Sequence, residues 1–182
     1  MSKSWKKDRS PEIVEKIKKS ARQNEDSFIE KFNITFSKYG VKCYHNREKP
    51  LKRGLGRTPD ASVVNLRLGK ILFYIEISVT KTYSLNTFSK FKQSRVIHIE
   101  ADKHRAFVSG YKGAIVLYGY MDAEDNIRFA FFRDMIYRGV ETVKSYGTEE
   151  KTENYVINAG KLRKITMLRD GDKVIYGLIE EF

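Results

Sequence analysis

RTPDASVVNLRLGKILFYIEISVTK, residues 57–81, places two runs rich in Val, Ile, Leu, Phe and Tyr on either side of Leu68-Gly69. That enrichment predicts strands over 60–67 and 70–79, joined by a turn near Leu68-Gly69. In an antiparallel hairpin the centre of the turn sets which residues oppose one another. A turn centred on Leu68 brings Asp60 opposite Glu76. One centred half a residue later brings Asp60 opposite Ile77. In either register Asp60 and Glu76 are neighbours across the ladder. Alternation puts Tyr74, Glu76 and Ser78 on one face and Phe73, Ile75 and Ile77 on the other. Glu76 has an isoleucine on each side, and a carboxylate taken out of water is costly unless something satisfies it. Two carboxylates paired across strands also repel. A cation between them answers both objections, and oxygen ligands suit Mg²⁺.

The flanking sequence supplies a second layer. NEDSFIEKFNITFSKY, residues 24–39, has Phe28, Ile29, Phe32 and Phe36 at helical spacing, with Gly40 as a stop. Glu25 falls in the first turn of that helix, where an acid complements the helix dipole. Ser10-Pro11 starts a shorter, Lys-rich helix to about Ser20, placed on the body or on a ligand. Val41–Asn46 reads as a strand. A helix is expected within 89–110, with Ile97, Ala101, His104 and Val108 facing inward. Strands follow over 113–121 and 126–133, then a helix over 134–145. A hairpin over 162–168 and 173–179 turns at Asp170-Gly171. The order helix, three strands, helix, strand predicts an α/β domain around a mixed sheet, with a β-rich C-terminal extension. The divisions expected are a basic segment 1–23, a core 24–133 and an extension 134–182 packed on it.

Pro59-Asp60, a hairpin and then Glu76-Ile77-Ser78 together resemble the PD-(D/E)xK nuclease superfamily, over roughly residues 24–121. The resemblance implies a restriction-endonuclease-like core (αβββαβ, a mixed sheet flanked by helices) and Mg²⁺-dependent hydrolysis of DNA phosphodiesters, with Mn²⁺ as the substitute ion. It implies Asp60 and Glu76 as metal ligands. It also implies an assisting glutamate from the preceding helix, Glu25, with Asp26 as the neighbouring alternative. One position departs from the family pattern: the lysine two residues after the Glu is replaced by Ser78, whose hydroxyl carries no charge. Lys81 needs a bend in the strand to reach the site, and Lys70 and Lys90 are further candidates.

Charge agrees with a polyanionic partner. The formal net charge is +12 in 182 residues. Residues 1–60 carry 16 Lys/Arg against 8 Asp/Glu and residues 61–120 carry 9 against 3, whereas residues 121–182 carry 10 against 12. Such segregation favours nucleic-acid binding by counterion release. The loop REKPLKRGLGRT, 47–58, offers Arg47, Lys49, Lys52, Arg53 and Arg57 to a phosphate backbone. RGLGR within it is no phosphate loop, since it lacks the GK[ST] ending. Cys43 is the single cysteine, so no internal disulfide forms and no zinc spacing exists. The expected setting is reducing, intracellular and cytoplasmic, with a phage- or virus-encoded origin open. No stretch has the apolar length to span a membrane.

His45, His98 and His104 are scattered and read as structural. Tyr118 and Tyr120 read as core and edge aromatics rather than base-stacking platforms, and Trp5 as an anchor or a stacking residue. Arg163, Lys164 and Arg169 could extend a binding surface, but their acidic surroundings favour a structural or dimer-forming role. The expectation is a metal-dependent endodeoxyribonuclease of restriction, homing or Holliday-junction-resolvase type. Cutting two strands favours a homodimer. The alternatives are a nuclease-fold DNA-binding protein that has lost catalysis, and a basic RNA-binding domain.

Overall fold

The structure is a computed structural model, described here for residues 10–46, 57–80, 96–111, 114–134, 139–144 and 151–179. Ser10 caps α1 (Pro11–Phe36) by accepting the Ile13 N–H, and Pro11 opens its first turn. A short 3₁₀ turn, Ser37–Tyr39, stops at Gly40, whose φ of 72° suits glycine. The break expected between residues 20 and 24 does not occur, because nothing in SARQNED excludes helix. Glu25 is therefore in mid-helix, and the first-turn acid is Glu12.

Strands β1 (Val41–His45), β2 (Ala61–Asn65) and β3 (Lys70–Val79) form an antiparallel meander. The register Ala61↔Ile75, Ser62↔Tyr74, Val63↔Phe73 continues by one residue to set Asp60 opposite Glu76. The pairs nearest the turn, Val64↔Ile71 and Asn65↔Lys70, centre it half a residue before Leu68, a register that alone would set Asp60 opposite Ile75; the bulge at Val63/Val64 shifts the pairing by one residue and restores Glu76. Strand β4 (Val96–Glu100) and α2 (Ala101–Gly110) then carry the chain over the sheet to β5 (Val116–Met121), which lies parallel to β3. Strand β6 (Ile127–Phe131) closes a sheet of order β1-β2-β3-β5-β6. The expected order of helix, three strands, helix and strand is present, with β4 inserted.

Three expectations are corrected. Residues 96–100 are strand rather than helix, since Ile97 and Ile99 alternate inward with period two. Starting α2 at Ala101 changes its phase, so Phe107 is buried and Val108 is 40% exposed. Gly139–Lys144, expected as helix, is strand β7 paired with β8 (Lys151–Asn158), where its β-branched residues find a ladder partner. The final hairpin, β9 (Lys164–Asp170) and β10 (Lys173–Ile179), turns at Gly171-Asp172 rather than one residue earlier. Gly171 supplies the positive φ of 55°.

Two apolar layers cover the main sheet. Phe28 and Phe32 of α1 pack with Val41, Phe73, Ile75, Leu117 and Phe129, beneath the β9–β10 hairpin. Asn33 of α1 bonds the backbone N–H and C=O of Cys43, satisfying polar groups on the edge strand β1. On the opposite face Phe107 and Tyr111 of α2, Ile97 and Ile99 of β4 and Ile157 of β8 pack on Val116, Tyr118 and Tyr120. The C-terminal strands are built into both layers: β8 pairs with β4, and Arg163 bridges to Phe129 of β6. Among the described residues no helix is long and apolar enough to cross a membrane.

Candidate active site

The backbone of Arg57–Asp60 is fixed from two sides. From the end of β1, the Asn46 N–H donates to the Asp60 carbonyl at 3.0 Å and Asn46 Nδ2 to the Pro59 carbonyl at 2.9 Å. The Ser62 hydroxyl donates to Asn46 Oδ1 and holds that amide in orientation. From the other side, the hydroxyl of Tyr111, just past α2, donates to the Arg57 carbonyl at 3.1 Å, and the Arg57 guanidinium reaches Glu100 at the end of β4 at 2.9 Å. Asp60 cannot swing away, and its Oδ2 accepts the Ile77 N–H at 2.8 Å.

This places the Asp60 carboxyl against Glu76, which is 4% exposed. The negative charge of Glu76 so close to Asp60 favours a proton on the pair. Burial first, then the charge of Glu76, pushes Asp60 up to about 7, while Lys103 and the Ile77 N–H pull the other way. Lys103, in the first turn of α2, donates from Nζ to Glu76 Oε1 at 2.5 Å. Burial alone would lower its pKa, but the Glu76 and Asp60 carboxylates outweigh that and hold the ammonium at about 12. One cation thus faces two carboxylates, Glu76 buried and Asp60 half-buried, and the deficit shows as the raised Asp60. An oxygen-liganded divalent ion in place of that proton would remove it. Among the described residues no group of three or more His, Cys, Asp or Glu side chains could hold a metal. A hard cation here would therefore take two protein carboxylates and complete its shell from water and phosphate oxygens, as Mg²⁺ does.

Tyr74, Glu76 and Ser78 do share a face, the one that α2 covers, and Glu76 pairs with Tyr118 and Ser78 with Tyr120 across the parallel ladder. Tyr118 stacks on Tyr120 at 6.5 Å and 28°. Both tyrosines are buried, in keeping with a core role. Glu25 and Asp26 are drawn to His45, at 3.7 Å from Nδ1 and 2.5 Å from Nε2. His45 pairs with Ala61, so this cluster borders Asp60 from the α1 side of the sheet. Lys70 sits at the far end of β3 from Glu76, about 20 Å along the strand. Arg57 serves the loop through Glu100. Lys81, Lys90, Arg47, Lys49, Lys52 and Arg53 lie outside the described residues.

Lys103 was missed by reading the sequence. Its signal was the change of period at Glu100-Ala101: once VIHIE is read as a strand, Lys103 falls in the first turn of the following helix. The buried Cys43 thiol is pushed up to about 12 by desolvation and offers no nucleophile.

No protein-family model and no curated protein matches the chain. Among solved structures it is similar to Hjc of Archaeoglobus fulgidus, a Holliday junction resolvase from an archaeal hyperthermophile. That likeness has a TM-score of 0.43 and 17% identity over 74% of this chain and 84% of that one.

Proposed function

We propose that the chain is a metal-dependent nuclease that hydrolyses DNA phosphodiester bonds at Asp60, Glu76 and Lys103. The observation that carries this reading is the Asp60–Glu76 carboxyl pair, brought together at one end of the hairpin and served by a single lysine. Asp60 and Glu76 would hold the cation, Mg²⁺ or its substitute Mn²⁺. When bound, such an ion polarises phosphoryl oxygens and makes a nucleophile of water near neutral pH. The chain's own residues do the rest. The Asn46 and Tyr111 clamps fix Asp60, so the pair meets substrate already oriented. Lys103, held at about 12, stays protonated at neutral pH. It therefore donates hydrogen bonds to the attacking water or a phosphoryl oxygen, and it does not act as a base. It supplies from α2 the positive charge that Ser78 cannot supply from β3.

The test is cleavage with Mg²⁺ or Mn²⁺ by wild type, Asp60→Asn, Glu76→Gln and Lys103→Met. The substrates are plasmid duplex, single strand, four-way junction and RNA. Metal-dependent cutting of DNA lost in both carboxylate variants, and reduced by about 10²-fold or more in Lys103→Met, is expected. Preference for the junction assigns a resolvase, and preference for a duplex sequence assigns a restriction or homing enzyme. Folded wild type that binds DNA tightly and cuts nothing overturns the catalytic reading and leaves a binding protein.

A further inference from the structure

Strand β1 is an edge of the main sheet, and its two faces differ. Val41 and Cys43 point into the α1 layer and are 1% exposed. Alternation sends Lys42 and Tyr44 to the opposite face, the one that carries Asp60 and Glu76. The apolar layer that α2 and β4 build there rests on β3, β5 and β6, and among the described residues it takes none from β1 or β2. Tyr44 is accordingly 42% exposed. Lys42 is exposed as well, with its ammonium 5.2 Å from the centre of the Tyr44 ring. No acid offsets that charge nearby. The run from Ser37 to Asn46 holds no Asp or Glu, and Lys42 meets no carboxylate among the described residues. Glu25 and Asp26 lie on the other face, against His45.

The ladder sets the distance to the carboxyl pair. Tyr44 pairs with Ser62, and Asp60 is the next residue along that face, so Tyr44 and Asp60 are diagonal neighbours about 7–8 Å apart. The position is braced from both sides. Asn33 bonds the N–H and C=O of Cys43, and the Ser62 hydroxyl holds Asn46. An exposed ring beside an unpaired cation is what a nucleic-acid strand needs, one to stack a base and the other to meet a phosphate.

We infer that Tyr44 and Lys42 form a platform for an unpaired base of the substrate, close to the bond cut at Asp60 and Glu76, with Lys42 on the adjoining phosphate. The inference rests on the nuclease reading for where that bond lies. At about 3.4 Å per step along a strand, the base is about two nucleotides from it. A base inside a duplex is already stacked on both faces, so the platform selects single-stranded or branched DNA over blunt duplex.

The experiment is binding in EDTA, so that no cleavage is required, of a labelled single strand and a blunt duplex of equal length across a salt series. Wild type is compared with Tyr44→Val, Tyr44→Phe and Lys42→Gln, and with Val140→Ala as a control at an exposed apolar position on β7. Valine suits an edge strand and removes only the ring. Tyr44→Val should lose about ten-fold or more on the single strand and under about three-fold on the duplex. Its slope of log K against log salt should match wild type, because stacking releases no counterion. Tyr44→Phe keeps the ring and should bind as wild type does. Lys42→Gln should flatten the single-strand slope by about 0.7, the loss of one phosphate contact. Unchanged single-strand affinity in Tyr44→Val overturns the inference. So does an equal loss on the duplex, in Tyr44→Phe or in the control, an unchanged slope in Lys42→Gln, or a wild type that ignores single strands. A wild type that cuts DNA while Tyr44→Val binds normally removes the platform and spares the nuclease reading. One that binds single strands through Tyr44 and cuts nothing defeats the nuclease reading and leaves the platform standing.

Discussion

Asp60 is a carboxyl group that keeps its proton to a higher pH in the folded chain than an ordinary aspartate does. Its pKa rises from an ordinary 3.8 to about 7 on folding, chiefly by burial and then by Glu76. A raised folded pKa means that the proton stabilises the native state. That stabilisation is complete below about pH 4 and is lost as pH rises through about 7. In EDTA, the melting temperature of wild type should therefore fall across this window through Asp60. Asp60→Asn cannot ionise, keeps an oxygen acceptor for the Ile77 N–H and should melt above wild type near pH 8, yet match it near pH 4. Mg²⁺ should restore the wild type at the higher pH and leave the variant unmoved. Lys103→Met should destabilise toward the low end of about 3–5 kcal/mol, because it strands Glu76 while its own side chain is 34% exposed. Adding Glu76→Gln should recover most of that loss, a coupling that a double-mutant cycle in urea would read.

The hairpin and α1 fix the site at the scale of elements. Asp60 and Glu76 were legible as neighbours across the ladder because the turn and period-two alternation, both local properties, fix the register to within a residue. The exact opposition was not legible: the turn's own register would set Asp60 opposite Ile75, and the Val63/Val64 bulge moves it to Glu76. The apolar stripe Phe28, Ile29, Phe32 was equally legible as helix. How closely it packs was not: a Cβ at Gly119 of β5 would lie 2.7 Å from both Ile75 Cγ2 and Phe28 Cζ. Gly119→Ala should force α1 off the sheet and cost about 1–3 kcal/mol, lowering the urea midpoint with an unchanged m-value. Tyr111→Phe removes the tether on Arg57. It should lower cleavage more than it lowers stability, since the freed segment, Arg57–Asp60, lies outside the strands and the lost order is that of Asp60. Parallel measurements of kcat and melting temperature would separate the two effects.

Across the whole molecule, the C-terminal strands complete both apolar layers. Strand β8 covers the α2 layer through Ile157, and β9 covers the α1 layer through Ile165 and Met167. Deleting residues 151–182 should therefore abolish the cooperative unfolding transition, leaving compact, dye-binding protein without near-ultraviolet dichroism. What this protein's sequence determined by itself was local. Alternation in LFYIEIS, helical spacing in SFIEKF and the turn before Lys70 each act over a few residues, so they specify the hairpin and α1 and bring Asp60 within one residue of facing Glu76. Tertiary structure decided what depends on contacts between distant segments. The β7 strand forms because β8 is there to pair with it. Lys103 reaches Glu76 because β4 sets where α2 begins. Asp60 becomes a proton holder because layers drawn from the whole chain exclude water from it, and no neighbour in sequence carries that information.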